Sequence, residues 1–337
     1  MPYPIMSWAQ IAPAYSRGTI LLGNGASIAI SPSFSYGSLL EHAQNTHQLS
    51  EDVYRLFDFF GTHDFELILR LVWQASNVNR SLRIPDAQTH QAYQNVRECL
   101  IQAVRNVHPA YDQISHHLPN MYQFLKGFDT IFSLNYDLLV YWTMTYGLDI
   151  PDGHMFKDCF IRSMFDDDWR RFRERYRERS NTLVFYPHGS LALCRNRVEQ
   201  EFKISNDGEG LLEAILDEWR SERVVPLFVS EGRMEQKISS IQNSYYLSTI
   251  YREVLKSQRS SLTLLGWGLG EHDLHLLHRM QGTGIQRVAV SVFRRDQVYC
   301  NYAYQTIQDA LAQLEPVQVD FFDSESPGCW IHPMPQI

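Results

Sequence analysis

The chain has 337 residues and a formal net charge of −8, with 44% apolar, 13% aromatic and 20% charged residues. That balance is globular and excludes disordered, collagen-like and coiled-coil chains, while the acidic excess argues against direct nucleic-acid binding, which needs a basic face. No apolar run reaches the roughly 18 residues of a membrane span, and Met1-Pro2-Tyr3-Pro4 lacks the basic and apolar regions of a signal peptide. A cytoplasmic protein without membrane contact is expected.

The length suits two domains or one large α/β domain carrying an insertion, and the pattern along the chain favours the second, a single domain over 1–337. Thr19-Ile20-Leu21-Leu22 is a short apolar strand that breaks at Gly23-Asn24-Gly25-Ala26-Ser27. From 38 to 125 the chain reads as successive helices, with apolar residues at helical spacing over Asp64–Trp73 and Val96–Val107. Ile84-Pro85-Asp86 and His108-Pro109 punctuate this helical insertion, because proline and its predecessor disfavour helix continuation.

Further strands are expected at Thr130–Leu134, Thr182–Tyr186, Val224–Val229, Leu262–Leu265, Val288–Phe293 and Val317–Phe322, with helices over Gln236–Gln258 and Tyr302–Leu314. Short, continuously apolar strands alternating with helices specify a Rossmann-like parallel sheet with helices on both faces. The mixed-charge run from Asp166 to Arg179 reads as a solvated helix with i,i+4 pairs, leaving a partner-docking face as the other reading.

In such a sheet ligands bind beyond the carboxyl ends of the strands. Those ends read Gly-Asn-Gly-Ala-Ser (Gly23–Ser27), Asn-Tyr-Asp (Asn135–Asp137), His188-Gly189, Ser230-Glu231-Gly232 and Gly266-Trp267-Gly268. Glycines after the first strand let backbone approach a phosphate at a helix N-terminus. The third glycine of a dinucleotide fingerprint is replaced by Ile28, and no acid ends a second strand about 20 residues on, which disfavours a hydride-transferring dehydrogenase. Asn135 reads as a ligand contact or a helix cap, and His188 as a general base or a satisfied structural histidine. His272, His275 and His278 recur every three residues without an acidic or cysteine partner, so no metal is expected. Five dispersed cysteines without a C-x-x-C pair read as reduced and mostly buried.

The order of these motifs resembles the sirtuin-like NAD-binding superfamily, and is most similar to bacterial sirtuin-like proteins of antiphage defence, many of which hydrolyse NAD. Asp64-Phe65-Glu66 and the stretch Pro226–Tyr246 are similar to those proteins as well. The resemblance implies that Gly23, Gly25, Ala26 and Ser27 cradle the pyrophosphate of NAD, that Asn135 and Asp137 flank the nicotinamide ribose, that His188 is the catalytic histidine, and that Gly266 begins a turn near the adenosine. Gly268 stands where many relatives carry serine, and the four-cysteine zinc module of the deacetylases cannot be built, which disfavours protein deacetylation. The expected activity is NAD glycohydrolysis with NAD as substrate, in a homo-oligomer regulated by a partner protein. A non-catalytic module sensing NAD or ADP-ribose is the alternative.

Overall fold

A computed structural model describes residues 2–35, 39–45, 49–205, 210–229, 232–258, 260–312 and 316–335. Its strands in chain order are β1 (Ile5–Met6), β2 (Thr19–Leu22), β3 (Thr130–Ser133), β4 (His154–Lys157), β5 (Phe160–Ile161), β6 (Met164–Phe165), β7 (Ser180–Phe185), β8 (Gly189–Asn196), β9 (Glu201–Lys203), β10 (Val224–Phe228), β11 (Ser260–Leu265), β12 (Ile285–Val292) and β13 (Gln318–Asp323). Eight of them form one sheet in the order β1-β13-β12-β11-β2-β3-β7-β4, with every neighbouring pair parallel. All four residues of β2 and of β3 are buried. Alternate residues of a strand point to opposite faces, so both faces of the sheet centre are covered. The fold is the expected Rossmann-like α/β sheet.

The chain leaves β2 towards β3 and β7 on one side, and returns through β11, β12 and β13 on the other. The strand order therefore reverses between β2 and β11, where an open α/β sheet forms its ligand crevice.

Between β2 and β3 lie helices Leu39–Asn45, Glu51–Phe60, Phe65–Ser81, Ala87–Val107, Tyr111–Ile114 and Leu118–Leu125. Ser38, the expected start of this insertion, is outside the described residues. Helix Glu51–Phe60 ends at Gly61 in the left-handed region (φ 58°), which glycine adopts without a Cβ clash. Asp64 then caps Phe65–Ser81 by accepting the Glu66 and Leu67 amides at 3.0 and 3.2 Å. The long helix packs towards β10, where Trp73 Nε1 donates to the Glu222 carbonyl at 3.1 Å.

Four expectations are corrected. Val224–Val229 does not join the parallel sheet: β10 pairs antiparallel with β8, and β9 completes a separate three-stranded sheet. An apolar run alone does not distinguish parallel from antiparallel partners. Strand β4 was missed because, as a sheet edge, it alternates burial and ends in Lys157. The run Asp166–Arg179 is not a solvated helix. It contains one 3₁₀ turn, Trp169–Arg173, whose Trp169 is buried beneath the Arg170 guanidinium, 4.4 Å from the ring centroid; burying that indole outweighs weak surface pairs. The single helix expected over Gln236–Gln258 breaks at Asn243, where Ser244 starts a new helix by accepting the Leu247 amide at 3.1 Å. The helix expected over Tyr302–Leu314 spans Gln297–Ala310, and Leu314 is outside the described residues.

Candidate active site at the strand-order reversal

The turns after β2 and β11 are joined backbone to backbone. Gly23 N–H donates to the Leu265 carbonyl at 2.9 Å, and Gly25 N–H donates to the Gly266 carbonyl at 2.7 Å. The approach is close enough to demand glycine. A Cβ on Gly25 would lie 2.8 Å from the Gly266 oxygen, one on Gly23 2.6 Å from Trp267 Cα, and one on Gly266 (φ 65°) 2.2 Å from the Ala26 nitrogen. Ala26 N–H turns back to the Gly23 carbonyl at 3.0 Å. The amides of Gly23, Gly25 and Ala26 therefore bond within the protein, and these glycines close one turn on the other while lining the cleft.

The second half of the motif is equally committed. Ser27 is buried, its hydroxyl donating to Asp137 Oδ2 and accepting from Asn135 Nδ2, the latter at 2.8 Å. Asn135 Nδ2 also donates to the Gly23 carbonyl at 3.0 Å. A carbonyl only accepts, so this contact fixes the orientation of the Asn135 amide and leaves Oδ1 as its free acceptor. Asp137 accepts the Leu139 amide at 3.0 Å through its other oxygen, at the start of helix Leu139–Leu148. Burial pushes its carboxyl up to about 6 against the lowering effect of these hydrogen bonds. Ser27 and Asp137 thus tie β3 to the β2 turn.

Above these turns opens a cleft of about 1400 Å³, whose wall includes Gly23, Gly25, Ala26, Asn135, Asp137, His188 and Gly266. Ser27 lies behind that wall. Gly61, Thr62 and His63 of the insertion enter from one side, and Ser324, Glu325, Trp330 and His332 from beyond β13. Trp330 Nε1 donates to the Ala26 carbonyl at 2.8 Å, and Tyr299 Oη to the Trp267 carbonyl at 2.5 Å, so side chains far along the chain hold both glycine turns. Gly232 lines the cleft too, whereas Ser230 and Glu231 fall outside the described residues.

His188 follows β7 in a tight turn. Gly189 N–H donates to the Tyr186 carbonyl at 2.9 Å, and Gly189 takes φ 76°, where a Cβ would meet the Leu227 oxygen at 2.3 Å. The Val229 amide donates to the His188 carbonyl at 2.7 Å. The backbone of His188 is thus clamped between β7, β8 and β10. Its side chain is only 4% exposed, and Nε2 lies 3.8 Å from Asp273 Oδ1. Lys237 Nζ donates to that same Oδ1 at 2.7 Å. Burial, more than any nearby charge, lowers the imidazole to about 3, so it is neutral at physiological pH. Burial raises the Asp273 carboxyl, but attraction to His188 and Lys237 outweighs it and holds the group below the usual carboxylate range.

Asn135 and His188 both line the cleft, as their places at strand ends imply, and Asp273 and Lys237 join them there. Asp273 sat in view within Gly266–His275; Lys237 carries no local signal, since only the tertiary fold reveals that a lysine on an ordinary helix is buried. His275 Nδ1 bonds the His272 carbonyl at 3.1 Å. Among the described residues no three His, Cys, Asp or Glu side chains converge as a metal site. All five cysteines are free and buried, and among the described residues no helix is long and apolar enough to cross a membrane.

Fold and site define a Rossmann-like α/β protein with a large cleft at its topological switch point. Its residues 20–330 match the family described as a domain of unknown function, DUF4917, and the chain belongs to that family. No curated protein matches the chain.

Proposed function

We propose that the protein is an NAD glycohydrolase, cleaving NAD to nicotinamide and ADP-ribose in the cleft between the β2 and β11 turns. The observation that carries this reading is that Asn135 and a neutral, buried His188 line the same large switch-point cleft. A cleft of about 1400 Å³ exceeds the roughly 300–1,000 Å³ of sites for small ligands and suits a dinucleotide. The amides of Gly23, Gly25 and Ala26 bond within the protein, and Arg233, an exposed cation on the cleft wall, is suited to meet the diphosphate.

Cleavage of the C1′–N bond sends its electron pair to nicotinamide, which leaves neutral, and builds oxocarbenium-like charge on the ribose. The water that attacks C1′ passes a proton to His188, which later returns it to solvent. Asn135, its donors held by Gly23 and Ser27, presents a fixed acceptor to orient water or a ribose hydroxyl. This is the chemistry of an NAD-depleting effector, as in the sirtuin-like defence proteins that the sequence resembles.

Incubating the purified protein with NAD and separating products tests the reading: nicotinamide and ADP-ribose should appear in equal amounts. NAD binding without nicotinamide release, with or without a co-expressed partner, would instead assign a sensing module.

A further inference from the structure

We propose that Asp273 is a positioning residue for His188: it holds the imidazole in the Nε2–H tautomer, leaving Nδ1 as the nitrogen that takes the substrate proton, and Lys237 fixes the Asp273 carboxylate in place. The proposal rests on the cleavage reading for the proton's source, but its geometry is independent of the substrate.

His188 Nε2 is buried without a hydrogen-bond partner, and the acceptor facing it is Asp273 Oδ1 at 3.8 Å. Catalytic hydrogen bonds are commonly long before substrate packs the site, so this spacing suits a contact that tightens in the complex. Asp273 belongs to the 3₁₀ turn Glu271–Asp273, continuous with the β11 glycine turn, while Lys237 comes from helix Met234–Gln242. Lys237 is 6% exposed and donates to the oxygen that faces His188. A buried lysine needs a charged partner, so the pair keeps Asp273 ionised and directed.

His275, on helix His275–Met280, is the third titratable group facing His188, with ring centroids 5.7 Å apart. Its Nδ1 meets a carbonyl, which accepts only, so Nδ1 carries the proton and Nε2 is a lone pair. His275 cannot donate to His188 from that nitrogen, which leaves Asp273 as the group that selects the tautomer. When water gives its proton to His188 Nδ1, the imidazolium forms beside an existing carboxylate, and Asp273 stays ionised throughout.

Long-range ¹H–¹⁵N correlation of the imidazoles at neutral pH reads the tautomer directly, with His188 assigned by the signal lost in His188→Ala. Wild type should show a protonated Nε2 and an unprotonated Nδ1, and Asp273→Ala should shift His188 towards a tautomer mixture. An Nδ1–H tautomer in wild type overturns the proposal without any variant, as does an unchanged tautomer in folded Asp273→Ala. In nicotinamide release, Asp273→Ala should lower kcat by about 10²-fold with KM changed less than about threefold, the pattern of an interaction made in the transition state. A loss confined to KM overturns the assignment. If wild type releases no nicotinamide, the cleavage reading falls, and the tautomer alone decides the role of Asp273.

Discussion

His188, Asp273 and Lys237 lie on the cleft wall, whereas buried Glu66 and Arg195 and half-buried Arg70 sit where the insertion meets the small antiparallel sheet. Both are clusters of titratable groups withdrawn from water. Glu66 and Arg195 are each 2% exposed, Arg70 Nε lies 3.5 Å from Glu66 Oε1, and Arg195 reaches Glu199 and Glu201 at 3.4 and 3.5 Å. Burial pushes the Glu66 carboxyl up to about 8, just as it drives His188 down to about 3. The difference is what each cluster faces. No member of the Glu66 group lines the cleft, and the group sits where helix Phe65–Ser81 packs against β10. A perturbed titration marks burial; it marks chemistry only where the group also meets a cavity large enough for a substrate.

Changes in the two clusters should therefore separate stability from reaction. The largest stability loss is expected for Arg195→Met. It leaves half-buried Glu201 without its cation, so chemical denaturation should show a loss of about 3 kcal/mol, the low end for breaking a buried pair, while nicotinamide release per folded molecule stays at the wild-type level. Equal loss of both would erase the distinction.

Gly266→Ala should come next, because its Cβ would press on the Ala26 nitrogen from a left-handed backbone. Overpacking of this kind costs about 1–3 kcal/mol, read as a lower denaturation midpoint. Here NAD binding should fall as well, since the two turns form the cleft floor. A variant of wild-type stability would mean that the turns are not tightly joined.

The smallest effect is a pH dependence. A carboxyl whose folded pKa is raised binds its proton more tightly in the folded state. Its contribution is therefore full below the ordinary value of 4.5 and is lost as pH climbs towards about 8. Glu66→Gln mimics the protonated form, so wild type and variant should melt together in acid, with the variant the more stable by pH 8. Parallel melting curves at every pH would mean that folding leaves the Glu66 titration unshifted and would contradict its burial as the cause.

The same contrast explains what the sequence made legible. Fully buried parallel strands announce themselves as apolar runs, so Thr19–Leu22 was found to the residue and β3, β7, β11, β12 and β13 to within a few positions. The glycine and asparagine motifs at their ends located the cleft. What those residues do there was not legible, because a glycine needed to pass a phosphate and one needed to pass another backbone look identical in sequence. The Gly25–Gly266 contact depends on pairing β2 with β11 across more than two hundred residues. Lys237, Thr62 and Trp330 reach the cleft through the same long-range packing. The small sheet was misread because β8 begins at the His188-Gly189 turn, where a strand seemed only to end.

The most direct test of the central claim is nicotinamide release from NAD by wild type, His188→Ala and Asn135→Ala, measured alongside NAD affinity and circular dichroism. Both variants should fold and bind NAD within a fewfold of wild type. Turnover should fall by about 10²–10⁴-fold in His188→Ala, as for loss of a positioned proton acceptor, and by a similar factor in Asn135→Ala, as orientation of the attacking water is lost. Folded variants that release nicotinamide at the wild-type rate would contradict it and place the chemistry elsewhere.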